Sequence, residues 1–253
     1  MAETLSGRVV IVTGASGGIG AGIATAFARE GATVVLAARR RDALRRVASE
    51  ICAAGGSALA VPTDMRDEDA VVALVATARQ TYGRVDVLVN NAGVTAHCPI
   101  DEMSLGYWND VLAVNLTSAF LASREAVKAM KAQVPQGGRI ITIGSVSQKT
   151  PRPDSLAYTA TKHALQGLTH QLTMDGRAYG VVASIIHPGS TLSSFNGADR
   201  GAVAGPGETP DRYIMEPADV ARIAVLMATL PPEVNLYEAT ILPNHMKSFV
   251  GRG

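Results

Sequence analysis

Tyr158 and Lys162 stand four residues apart in the segment Ser155 to Lys162, and Ser145 lies thirteen residues before the tyrosine. On a helix, positions i and i+4 share a face one turn apart. A phenol beside an ammonium loses its proton more readily than its ordinary pKa of ~10 allows, because the positive charge favours the phenolate. The pair therefore predicts an acid/base tyrosine working near neutral pH. The spacing alone also arises by chance on amphipathic helices, so its meaning depends on what the rest of the chain supplies.

A second candidate is a glycine-rich turn. The short apolar run Val9-Val10-Ile11-Val12 ends at Thr13-Gly14-Ala15-Ser16-Gly17-Gly18-Ile19-Gly20. An apolar run bounded by turn residues reads as a buried parallel strand, and the Ile23, Ala24, Phe27 periodicity beyond it reads as a helix. The glycines thus fall at a strand-to-helix turn. There they let the backbone approach a pyrophosphate, whose negative charge is favoured by the free amides of a helix N-terminus. Their spacing is Gly-x-x-x-Gly-x-Gly rather than Gly-x-Gly-x-x-Gly.

These residues need a frame to hold them. Apolar runs at 9–12, 33–37, 58–61, 85–89, 140–143 and 181–186 alternate with helical patterns. The alternation predicts an α/β fold, a Rossmann-type doubly wound parallel sheet with helices on both faces, because each crossover must bury its apolar stripe on the sheet. Ligands in such sheets bind at the carboxyl ends of the strands, near the point where strand order reverses. Thr13, Asn90, Ser145 and Pro188 all follow strand ends in this scheme. A helix over 217–229 and a short strand over 238–242 are expected to close the chain. No linker interrupts the pattern up to Gly189, so one domain over 1–253 is expected.

Composition narrows the class further. The 253 residues are 47% hydrophobic and 18% charged, with a net charge of +1. That balance supports a buried core and argues against disorder, and it gives no reason to expect nucleic acid. Cys52 and Cys98 have no metal-ligand spacing, so reduced, structural thiols and no metal are expected. No basic segment followed by an apolar stretch opens the chain, and no apolar run approaches ~20 residues, so a soluble cytoplasmic protein is expected, without a membrane partner.

At this point the chain resembles the short-chain dehydrogenase/reductase family, in which a Thr-Gly-x-x-x-Gly-x-Gly turn, an Asn-Asn-Ala-Gly segment, a Ser and a Tyr-x-x-x-Lys occur in that order. Here they are Thr13 to Gly20, Asn90-Asn91-Ala92-Gly93, Ser145, and Tyr158 with Lys162; Ala113-Val114-Asn115-Leu116 and the turn Pro188-Gly189 also fit. The resemblance runs from about Gly7 to Gly189. It implies hydride transfer between a nicotinamide and a carbonyl or alcohol carbon. Tyr158 would move the proton, Lys162 would hold the nicotinamide ribose and lower the tyrosine pKa, Ser145 would donate to the substrate oxygen, and Asn115 would hold a water in a proton relay. It implies cofactor contacts from Gly14, Ser16, Gly18, Ile19, Gly20, Asp64, Met65, Asn90, Ala92, Gly93, Pro188, Gly189 and Thr191. Oligomers are usual in the family, so a dimer or tetramer through the helices at about 104–132 and 155–179 is expected.

In NAD-preferring relatives an acidic residue ends the second strand, and here the aligned position is Ala38. Without that carboxylate a 2′-phosphate meets no repulsion, and Arg39, with Arg40 beside it, offers a planar guanidinium suited to phosphate. The expected cofactor is therefore NADP(H). Thr191 and Ser193 depart from the residues usual near the carboxamide. Thr95, His97, Ser147, Gln148 and Phe195 are candidates to line a pocket for a small-molecule substrate. The glycine- and proline-rich stretch 189–215 is expected to form a lid over it. The reading is a ketone reductase, with an NAD-dependent alcohol or hydroxy acid dehydrogenase, or a regulator that senses NADPH without chemistry, as alternatives.

Overall fold

A computed structural model describes residues 5–192 and 214–244. Seven strands form one sheet: β1 (Val9–Thr13), β2 (Thr33–Ala38), β3 (Ser57–Pro62), β4 (Val87–Asn90), β5 (Gly138–Ile143), β6 (Val181–Pro188) and β7 (Glu238–Ile241). Their order is β3-β2-β1-β4-β5-β6-β7, and every neighbouring pair is parallel. The chain winds outward from β1 in one direction and from β4 in the other, so the strand order reverses between β1 and β4. The helices are α1 (Gly18–Arg29), α2 (Arg41–Ala53), α3 (Glu68–Tyr82), α4 (Leu105–Leu112), α5 (Ser118–Ala132), α6 (Leu156–Gly176) and α7 (Pro217–Thr229).

The pleat sends alternate residues of β1 to opposite faces. Val10 and Val12 join Ile23, Phe27, Leu36, Ile141 and Val220 in a core shared with α1, α2 and α7. Val9 and Ile11 join Val35, Leu74, Leu88, Leu121 and Met130 in a second core with α3 and α5. With both faces covered, β1 and β4 are buried at every residue and read as unbroken apolar runs. The edge strands β3 and β7 are only partly buried.

Most strand ends shift by one or two residues from the sequence expectation, and three differences are larger in kind. β4 begins at Val87, because Val85 instead donates its N–H to Gln133 Oε1 at 3.0 Å. α6 stops at Gly176 and gives way to a 3-10 turn over Arg177–Tyr179. The segment 104–132 is not one α-helix: a π-turn over Ala113–Thr117 separates α4 from α5 and carries Asn115. Such turns insert a residue into the helical ladder and frequently mark functional sites.

Among the described residues no helix is long and apolar enough to cross a membrane. Most of the expected lid, residues 193–213 with Ser193 and Phe195, lies outside the described residues. Its two flanks are joined: Leu192 donates to the Met215 carbonyl at 2.9 Å and Met215 to the Ser190 carbonyl at 3.0 Å.

Candidate active site

The sheet brings its carboxyl ends together by register. Val12 pairs with Val89, Asn90 with Thr142, Ile143 with Ile186 and Pro188 with Ile241, so the loops after β1, β4, β5 and β6 emerge side by side. Ser145 leaves β5 in extended conformation, with φ −168°. Its Oγ accepts from the Ser147 N–H at 3.1 Å. A hydroxyl that accepts from the backbone still has its own hydrogen to donate.

Tyr158 lies in the first turn of α6 and Lys162 one turn later, and both line the cleft with Ser145. No hydrogen bond joins the ammonium to the phenol. Lys162 Nζ donates to the Ile143 carbonyl at 2.8 Å and stands 5.5 Å from the centre of the Tyr158 ring. The expected lowering of the tyrosine pKa is accordingly absent from this structure. Burial pushes the phenol up, and the Ser145 hydroxyl and the Arg152 charge only partly oppose it. Burial also brings Lys162 down to about 8. Desolvation acts against the charged form of each group, and no carboxylate among the described residues compensates the lysine.

Asn115 is 1% exposed, and its side chain makes three hydrogen bonds. Oδ1 accepts from the Val94 N–H, while Nδ2 donates to the Val94 carbonyl at 2.9 Å and to Thr161 Oγ1 at 3.2 Å. The amide thus fixes the loop after β4 to the π-turn and to α6. Both Nδ2 hydrogens are engaged, so a relay water could take no donor from this side chain.

The glycine turn opens the other end of the cleft. Thr13 Oγ1 accepts from the N–H groups of Asn91 and Ala92, each at 3.0 Å, and Asn91 Nδ2 donates back to the Thr13 carbonyl at 2.9 Å. Gly14 has φ 67°, and a Cβ on it would stand 2.8 Å from Asn91 Nδ2 and 2.9 Å from Ala92 Cα. A Cβ on Gly20 would collide with the Gly14 carbonyl oxygen and Asn91 Nδ2. The turn can therefore sit against β4 only as glycine. α1 begins without a side-chain cap and without an acidic residue in its first turn. Its first amides are left for an anion.

Gly14, Ser16, Gly17, Arg39, Arg40, Asp64, Met65, Ala92 and Gly93 line this end, and Ile19, Pro188, Gly189 and Thr191 line the end beside Tyr158. Arg40 Nη2 donates to Ser16 Oγ at 3.1 Å. Asp64 is held by Arg66, with Nη2 to Oδ2 at 2.7 Å, which keeps its carboxyl below the usual range. Gly18 and Gly20 shape the turn and do not line the cleft.

Asn90 also departs from its expected role as far as its side chain goes. It is buried in the sheet and donates to Ser123 Oγ at 2.9 Å, so the cleft is lined from this segment by Asn91, Ala92 and Gly93. Asparagine side chains alternate like any others along a strand end, and the motif does not reveal which of the two faces inward. Thr13, Asn91 and Arg66 are functional positions that reasoning from the sequence left without a role. Thr95, His97 and Ser147 line a further cavity against Ser145 and Tyr158, together with Arg152 and Ile214. Gln148 does not line it and turns to His187 instead.

Comparison with known proteins agrees with this geometry. The family model for short chain dehydrogenase matches residues 8–202. The chain belongs to that family. An uncharacterised oxidoreductase of Staphylococcus aureus strain MRSA252 is 33% identical over 239 residues, spanning 94% of this chain and 98% of its own length. A metagenomic short-chain oxidoreductase solved in complex with NADP is 38% identical, with a TM-score of 0.81 over 95% of this chain and 99% of that one. A Burkholderia cenocepacia short chain dehydrogenase, also in complex with NADP, is 31% identical, with a TM-score of 0.84 over 95% and 98%.

This short-chain dehydrogenase is thus an oxidoreductase of a family that uses a nicotinamide cofactor. The residues present fit such a group: Gly14 and Gly20 let the turn close on β4 where a side chain would collide, α1 offers uncapped amides, and Lys162, Tyr158 and Ser145 stand at the far end.

Proposed function

We propose that this protein transfers a hydride between NADP(H) and a small carbonyl or alcohol compound, acting chiefly as a ketone reductase. One observation carries the reading. A single cleft runs from Ser145, Tyr158 and Lys162 to a basic end formed by Arg39 and Arg40, where the one carboxylate among the described lining residues, Asp64, is already paired with Arg66. Ala38 closes β2 without a carboxylate, so a 2′-phosphate at that end would meet cations and no repulsion. The NADP complexes of the two related structures accord with this choice.

Arg39, Arg40 and Ser16 would hold the phosphorylated ribose, the glycine turn and the α1 amides the pyrophosphate, and Lys162 the second ribose. The bound nicotinamide supplies or accepts the hydride. Tyr158 gives its proton to the substrate oxygen in reduction, and burial favours the protonated phenol that this direction needs. Ser145 donates its hydroxyl hydrogen to the same oxygen and holds it near the phenol. Asn115 keeps the loop after β4 in place against α6.

The protein works as a homo-oligomer in this reading. Leu105, Phe120, Leu156 and Met174 are large exposed apolar residues on α4, α5 and α6, the helices expected to meet a second copy. Sedimentation of the purified protein as a monomer at micromolar concentration would remove that element.

The test is a fluorescence titration with NADPH and NADH, followed by turnover on a panel of small ketones, β-keto esters and hydroxy acids. Tighter NADPH binding with reduction of a panel member is expected. Comparable kcat/KM with the two cofactors would defeat the NADP(H) assignment, and binding without any turnover would point to a sensor.

A further inference from the structure

The side of Ser145 turned away from the cleft meets His187, near the end of β6 and 1% exposed. His187 Nδ1 accepts from the Ser145 main-chain N–H at 3.3 Å. Gly144 makes the approach possible, since a Cβ there would collide with Nδ1 of the ring. A main-chain N–H can only donate, so Nδ1 is the bare nitrogen and the ring hydrogen sits on Nε2. Nε2 donates in turn to Gln166 Oε1 of α6 at 2.9 Å.

The network returns to the serine loop from behind. Gln166 Nε2 donates to Glu238 Oε2 of β7 at 3.1 Å, and Lys149 Nζ donates to Glu238 Oε1 at 3.1 Å. Gln148 Nε2 lies 3.3 Å from the same ring nitrogen, donor facing donor in this tautomer, and adds no bond to the network. The stretch Ser145 to Lys149 is therefore tied to one imidazole at both ends, directly through Ser145 and indirectly through Lys149, Glu238 and Gln166.

We propose that His187 is a positioning residue for Ser145, holding its main chain through the bare Nδ1, so that the neutral ring supports turnover and the imidazolium does not. The proposal rests on the reading of Ser145 as the donor to the substrate oxygen. A proton on Nδ1 would set N–H against N–H and drive the Ser145 main chain off its position. A displacement of about 1 Å at such a group costs about a hundredfold in rate.

The charged groups around the ring are Glu238 on β7, Lys149 after the Ser145 loop and Lys162 on α6, with the titratable His170 also bonded to Gln166. Burial holds the ring below the ordinary histidine range; Glu238 pulls the other way, while Lys149 and Lys162 add to the lowering. The switch therefore acts on the acid side of neutrality.

Two variants and two kinds of readout test this. In His187→Asn, the amide oxygen stands near the position of Nδ1 and can accept from Ser145 without titrating; in His187→Leu no acceptor remains. Wild-type kcat is expected to fall as pH drops through the low imidazole range, and His187→Asn to keep most of kcat while losing that acid limb. His187→Leu is expected to lose about tenfold to a hundredfold in kcat with NADPH affinity unchanged. An acid limb that persists at the same pH in folded His187→Asn, or an unaltered kcat in His187→Leu, overturns the proposal.

A second arm needs no substrate. In nitrogen-15 spectra of the wild-type protein, His187 Nδ1 should be unprotonated at neutral pH and the Ser145 amide should titrate with the midpoint of the ring. A protonated Nδ1, or different midpoints, overturns the proposal. If Ser145→Ala leaves turnover intact, the reading of Ser145 itself fails, and this second arm still decides whether His187 holds it.

Discussion

Lys162 donates to the Ile143 carbonyl at 2.8 Å while its Nζ stands 5.5 Å from the centre of the Tyr158 ring. The ammonium has no carboxylate partner among the described residues, and burial brings it down to about 8 from its ordinary 10.5. A chain that keeps such a group is held there by something other than stability. Lys162→Met should lose most turnover while its Tm stays equal or rises. The pH dependence gives a sharper check. Between about 8 and 10.5 the unfolded lysine holds a proton that the folded one has lost, so the wild type should gain stability as pH rises across this window. The difference in unfolding free energy between wild type and Lys162→Met should therefore shift in favour of the wild type over the same window. Parallel curves in denaturant titrations at pH 7, 9 and 10.5 would show that the lysine is not titrating there.

Tyr158 is half-buried beside Ser145, and desolvation keeps its phenol protonated at neutral pH. Tyr158→Phe removes one hydroxyl and leaves the ring packed against the apolar cluster of Ala96, Val111 and Ala157. Loss of a general acid typically costs about a hundredfold to ten-thousandfold in rate. Turnover should fall by that order, while NADPH binding followed by fluorescence and Tm both change little. Full activity in this variant would refute the assignment of the acid.

Much of this was legible in the chain because the fold is periodic. The buried strands read as apolar runs since both of their faces are covered, and the helix expected at about 217–229 is α7. Side-chain direction at the site was harder. The Asn90-Asn91 pair does not announce that Asn90 points to Ser123 while Asn91 stitches β4 to Thr13. The Tyr158 and Lys162 spacing places both on one face of α6 but leaves open where a long, flexible ammonium ends, and here the Ile143 carbonyl takes it. His187 carried no signal at all, because its partner Ser145 lies 42 residues away and meets it only through strand pairing.

The basic end of the cleft gives a prediction on cofactor choice. Arg39 and Arg40 line it, and Arg40 also reaches Ser16 at 3.1 Å. A charge-assisted hydrogen bond contributes about 1.5–3 kcal/mol, or roughly tenfold to a hundredfold in affinity. The double variant Arg39→Ala, Arg40→Ala should raise the KM for NADPH by at least that factor and leave the kinetics with NADH nearly unchanged. Adding Ala38→Asp should then make NADH the better substrate. Equal losses with both cofactors would mean that the arginines support the loop and do not recognise a phosphate.

Asn115 separates stability from chemistry in the opposite sense to Lys162. From the π-turn its amide accepts from the Val94 N–H in the loop after β4, and donates to the Val94 carbonyl at 2.9 Å and to Thr161 of α6 at 3.2 Å. Asn115→Ala leaves the part-buried N–H and carbonyl of Val94 without those partners, and a group left unsatisfied in this way costs up to about 1–3 kcal/mol. Tm should drop by several degrees, and amide exchange of Val94 should accelerate relative to the strands. Turnover should fall too, because the loop after β4 lines the cleft beside Tyr158 through Gly93, Val94 and Thr95. Measuring both at a temperature where the variant is fully folded distinguishes the two effects. An activity loss with Tm and Val94 exchange unchanged would show that Asn115 serves the proton path and not the scaffold.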